Sequence, residues 1–175
     1  MKHTKRLLAA VMALTMVSAI APMSAFAVDD AKITQDSNPK TGTMTATYNV
    51  QAAYTVTIPA GVTLSDTETV TKNITADAGV MLESGQTIVV TLTEGSNTKT
   101  AGATEFSAKN EGGTSTAKYT ISAGGSVKGV GDTVATFHTS TTAQSETLTF
   151  SAATGATVAG EHTETLTFTI STPTT

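Results

Sequence analysis

Cysteine and tryptophan are absent from this 175-residue chain, and it holds only four prolines and a single arginine. Without cysteine no disulfide reinforces the fold, even along an oxidising export route. Charged side chains make up only 14% of the sequence and aromatic ones 5%. A sustained helical period with capping residues is also missing. At most residues 76–82 supply one short helical turn. What is abundant is threonine, about one residue in five.

The start of the chain accounts for its one arginine. MKHTKR is followed by LLAAVMALTMVSAIAPMSAFA. A cationic head, an apolar stretch and small residues at Ala25 and Ala27 predict a secretory signal peptide over residues 1–27, cut after Ala27. Thr15, Ser18 and Pro22 interrupt the apolar stretch, whereas a spanning helix needs about 20 predominantly apolar residues. A secreted protein without a membrane span after cleavage is therefore expected, and no cysteine follows to carry a lipid. Loss of Lys2, Lys5 and Arg6 takes the formal net charge from −4 to −7. An acidic chain without arginine is a poor partner for phosphate, which argues against nucleic acid and anionic membrane surfaces.

Threonine alternates with apolar residues, the pattern of half-buried strands whose side chains point to opposite faces in turn. Its branched Cβ favours extended backbone and its hydroxyl stays hydrated, so it suits the wet face of a sheet. The pentapeptide ETLTF occurs twice, at residues 146–150 and 164–168. Leu148 and Phe150 in the first copy, and Leu166, Phe168 and Ile170 in the second, share an inward face. Glu146 and Glu164 have the same inward parity and are expected at the rim of the core. The two copies either pair through a long loop or cross from one sheet to the other.

Similar stripes run through Met44, Ala46, Tyr48 and Val50, through Tyr54, Val56 and Ile58, through Ile88, Val90 and Leu92, and through Ala117, Tyr119 and Ile121. Val134 and Phe137 lie on opposite parities, which a bulge would reconcile. Weaker strands are expected around residues 70–74 and 104–107. The expected architecture is all-β: a single immunoglobulin-like antiparallel sandwich of about 8–9 strands. It spans residues 43–171, after a polar leader at 28–42 and before a flexible tail at 172–175.

Chemistry-bearing residues are sparse. His138 and His162 are the histidines left after signal removal. His162 shares parity with Glu164, but spacing supports no third metal ligand. Asp132 and His138 sit six apart without a nucleophile elbow. Asp29, Asp30, Asp36 and Asn38 cluster without a calcium-loop spacing. Lys118 is out of phase with its apolar neighbours, so it is expected to face solvent rather than to enter an internal isopeptide bond. No catalytic, metal or cofactor site is expected, and the chain reads as non-enzymatic.

Two stretches carry a resemblance. AAYTVTIPAGVTL at residues 52–64 resembles the opening strand motif of secreted surface proteins of Gram-positive gut bacteria. AGEHTETLTFTIS at residues 159–171 is similar to the last strand of bacterial immunoglobulin-like and pilin-like sandwiches. His162 stands where such strands usually carry tyrosine. The cell-wall W-x-L motif and a sortase sorting signal are both missing. The resemblance implies a cell-surface or matrix sandwich of adhesive or structural role, held non-covalently, whose partner is a surface protein or a glycan. Tyr48, Tyr54 and Tyr119 are the aromatics available for sugar stacking, and their stripes assign all three to core packing. The alternative is a subunit of an extracellular fibre. In it residues 40–50 add a strand to a neighbour and present Met44, Ala46, Tyr48 and Val50 as the donor face.

Overall fold

The computed structural model describes residues 34–36, 42 and 44–174. The expected signal peptide and nearly all of the leader lie outside the described residues. The described residues from 52 onward belong to one compact unit, and those before it to another.

In the larger unit every pairing is antiparallel, and no helix occurs among the described residues. The strands are β1 (Val56–Thr57), β2 (Val70–Ala76), β3 (Ile88–Gly95), β4 (Glu105–Asn110), β5 (Thr116–Ala123), β6 (Ser126–Lys128), β7 (Thr133–Phe137), β8 (Gln144–Phe150), β9 (His162–Thr163) and β10 (Leu166–Ser171). The large sheet runs β1-β2-β8-β5-β4-β9, with β6 also pairing β5; the small sheet runs β10-β3-β7. The fold is an all-β, sandwich-like arrangement of two sheets.

Alternation explains the core. Ile74, Ile121, Leu148 and Phe150 of the large sheet and Ile88, Val90, Leu92 and Phe137 of the small one are all buried. Each contributes about 1.5–3 kcal/mol, against the entropy of ordering the chain. The parity conflict in β7 is resolved by a bulge. Val90 pairs with Ala135 and Thr91 with Thr133, so Val134 is the extra residue and turns inward with Phe137. The β5–β6 hairpin closes on Gly124 and Gly125, both at positive φ, as a two-residue turn matched to strand twist requires.

The two ETLTF copies part company. Glu146 to Phe150 lie in β8, between β2 and β5 in the large sheet. The second copy leads into β10, at the edge of the small sheet. The chain therefore crosses between sheets. Leu148 and Phe150, flanked by strands on both sides, are buried, whereas Leu166, Phe168 and Ile170 are only half-buried.

In the other unit, residues 44–50 form no strand and are exposed; Met44 is 92% and Tyr48 88% accessible. This corrects the expectation of a strand and of a core role for Tyr48. Alternation supplies the pattern of a strand, but a strand also requires a ladder, and residues 44–50 form none among the described residues.

Candidate functional site

Three local arrangements could carry function: a serine–histidine contact, a carboxylate at the start of β10, and an open groove between the sheets.

Ser115, just before β5, is 2% exposed. Its Oγ accepts the backbone N–H of Thr157 at 2.8 Å and of Val158 at 3.2 Å. It also lies 2.9 Å from His162 Nε2, while His162 Nδ1 lies 3.1 Å from the Gly160 carbonyl. A hydroxyl has two lone pairs and one proton. With both lone pairs occupied by amides, Ser115 donates its proton to Nε2, and Nδ1–H donates to Gly160. The pair resembles the nucleophile and base of a hydrolase, yet Oγ keeps no lone pair to attack with. It anchors the connection between β8 and β9. Ser115→Ala should therefore cost about 1–2 kcal/mol. Limited proteolysis should cut the variant within residues 151–161 while the sandwich stays folded.

Glu164 precedes β10. Its carboxylate accepts Ser107 N–H at 2.8 Å, Tyr119 O–H at 3.0 Å and Asn97 N–H at 3.3 Å. The strands β4, β5 and β10 and the β3–β4 turn thus meet on one side chain. Tyr119 is buried in a row of rings, with Phe106 at 5.7 Å and Phe150 at 6.3 Å between centroids. Burial raises its phenol well above the ordinary value, and the Glu164 charge and the hydrogen bond donated to it add to the shift.

His162 and Glu164 turn to different partners, and no group of three metal-ligating side chains occurs among the described residues. Asp132 Oδ2 accepts Gly129 N–H at 2.7 Å, and His138 is exposed, its backbone N–H donating to Gln144 Oε1 at 3.0 Å. Asp29, Asp30 and Asn38 lie outside the described residues. Lys118 is exposed, as expected, and its ammonium meets Glu105 at 2.6 Å rather than an asparagine.

The groove measures about 710 Å³. Leu148, Phe150 and Tyr119 of the large sheet line it, together with Leu166 and Phe168 of β10 and Val62 and Leu64 of the β1–β2 connection. Packed interiors tolerate few voids larger than a water molecule, so this opening is an unfilled part of the sandwich rather than a packing defect. No residue pattern announced it, because it depends on how segments distant in sequence are arranged around β10. Comparison with protein-family models, with curated proteins and with solved structures returns no match.

Proposed function

We propose that this chain is an exported, non-enzymatic sandwich of the cell surface or extracellular matrix, with a structural or adhesive role. The observation that carries the reading is the open groove beside a strand edge, where Leu148, Phe150, Leu166 and Phe168 sit among polar residues such as Asp66, Lys72 and Thr165, a mixture that suits an alternating polypeptide strand. The signal-like start, the hydrated threonine faces and the immunoglobulin-like resemblance of residues 159–171 support it. So does Ser115, whose hydrogen bonds are all structural.

A glycan partner has little to stack on. Tyr119 is buried and Tyr54 half-buried, which leaves Tyr48 as the exposed tyrosine. The fibre reading is favoured by a specific observation: Met44, Tyr48 and Val50, the donor face, are exposed large apolar residues in a segment without a strand. Fractionation of an expressing bacterium, with the N-terminus of the product sequenced, tests export. Mature protein beginning at Val28 in the medium or surface wash is expected; an intact Met1 terminus in the cytoplasm would overturn the reading. Light scattering and electron microscopy of the exported chain then separate the roles. Assemblies lost on deletion of residues 40–50 support the fibre subunit, and a monomer at all concentrations supports the adhesive module.

A further inference from the structure

We propose that the free edge of β10, with the groove beneath it, is an acceptor site for residues 44–50 of a second copy of this chain. The inference rests on the exported structural reading and supplies the half of the assembly that the donor face alone does not.

The small sheet ends at β10 on one side and at β7 on the other. Their burial differs. Val134, Ala135 and Phe137 of β7 are buried, so that edge is closed in apolar terms. Leu166, Phe168 and Ile170 of β10 point inward yet remain half-buried. Every second residue of an edge strand also directs its N–H and C=O away from its one partner. Among the described residues the edge at β10 therefore has no second ladder, and one additional strand would supply it and cover the half-buried side chains.

The occupant is indicated by the chain itself. Residues 44–50 alternate Met44, Ala46, Tyr48 and Val50 with Thr45, Thr47 and Asn49, and their large apolar members are exposed. Seven extended residues span about 20 Å, enough to run the length of β10. Neither residues 42–51 nor Leu166–Ser171 carry a charge, so the two segments can pair although each exported chain carries −7. Apolar side chains would enter the groove at every second position while Thr45 and Thr47 continue the threonine face of β10. The segment forms no strand in the single chain, which points to a second copy as the place where it does.

The absence of cysteine makes the test direct. One exported chain carries Thr47→Cys, and a second carries Thr167→Cys or Thr169→Cys, both exposed positions on the outward face of β10. Opposed residues of neighbouring strands lie about 4.5–5.5 Å apart between Cα atoms, within the reach of a disulfide. Mixed and mildly oxidised, the pair should form a mixed dimer at one β10 position severalfold above a Thr133→Cys control on β7. Adding Tyr48→Asp to the donor should abolish it without changing the melting temperature, since Tyr48 is exposed. Equal yields at β7 and β10 would overturn the acceptor assignment. An intrachain bond that persists on dilution, in a chain carrying both cysteines, would overturn the second copy as occupant. Exported protein without the specific cross-link sinks the acceptor site alone, and a specific cross-link in a chain never exported sinks the surface reading alone.

Discussion

Glu164→Ala should lower stability by about 3 kcal/mol, while Glu146→Ala should be neutral within about 0.5 kcal/mol. Both glutamates open an ETLTF copy, so local sequence is controlled in the comparison. Glu146 sits in the ladder opposite Ile74, and among the described residues no hydrogen bond or ion pair ties its carboxylate. Glu164 receives three donors from three parts of the chain, and removing it leaves Ser107 N–H and the Tyr119 hydroxyl without an acceptor. Hydrogen bonds to a charged group are worth about 1.5–3 kcal/mol each, and part of that returns if water enters the half-buried site. In thermal unfolding the difference should appear as a fall of roughly 10 °C for the Glu164 variant. Gly95→Ala should reproduce much of the loss, because a Cβ at Gly95 would fall on the Glu164 carboxylate. Equal melting temperatures for the two glutamate variants would show that the three contacts contribute nothing net.

This comparison also marks where the sequence stops being readable. Alternation located β3, β5, β7, β8 and β10, and their inward residues, because side-chain parity is a property of a few consecutive residues. It even exposed the bulge at Val134 as a parity conflict. Parity says nothing about neighbours. The same five letters became a flanked central strand in β8 and a single-partner edge in β10. Residues 44–50 alternate as regularly as β10 and form no strand among the described residues. The short strands β6 and β9 carry too few residues for a period to show. Glu164 looked like Glu146, and Ser115 looked like any loop serine. Their partners lie 45 residues away at Tyr119 and 47 at His162, separations that only the fold closes.

Scarcity of charge has a structural counterpart. Among the described residues only two ion pairs occur, Lys99 with Glu94 and Lys118 with Glu105, and all four side chains are well exposed. Pairs of that kind contribute about 0–1 kcal/mol. On the outer face of the small sheet, threonine takes over cross-strand bonding. Thr93 Oγ1 donates to the Thr167 carbonyl at 3.1 Å, and Thr169 Oγ1 donates to Thr93 Oγ1 at 3.3 Å. In the large sheet Thr147 donates to Asn73 Oδ1 at 3.0 Å. Such a face is wet, neutral and regular, and a strand of the same composition can extend it without bringing like charges together. The threonine-rich edge and the uncharged segment at 44–50 are thus two expressions of one compositional choice.

Tyr119 should make the fold labile in alkali, and Tyr119→Phe should remove that dependence. Burial comes first among the causes that hold its proton, followed by the charge of Glu164 and the hydrogen bond to it. In the unfolded chain the phenol titrates near pH 10. Below that pH the phenol is protonated in both states, and its contribution is fully present. Above it the unfolded chain releases a proton that the folded chain retains, so stability falls as pH rises. At neutral pH the phenylalanine variant should be less stable by about 1–2 kcal/mol, since one bond to Glu164 is lost while those from Ser107 and Asn97 persist. Denaturant titrations from neutral pH to above about pH 10 should therefore show the wild-type advantage shrinking. A constant gap would mean that Tyr119 does not couple folding to its proton. Glu164→Ala separates the causes in the same series. It removes the charge and the hydrogen bond but leaves the ring buried, so a reduced alkaline dependence should remain, carried by burial alone.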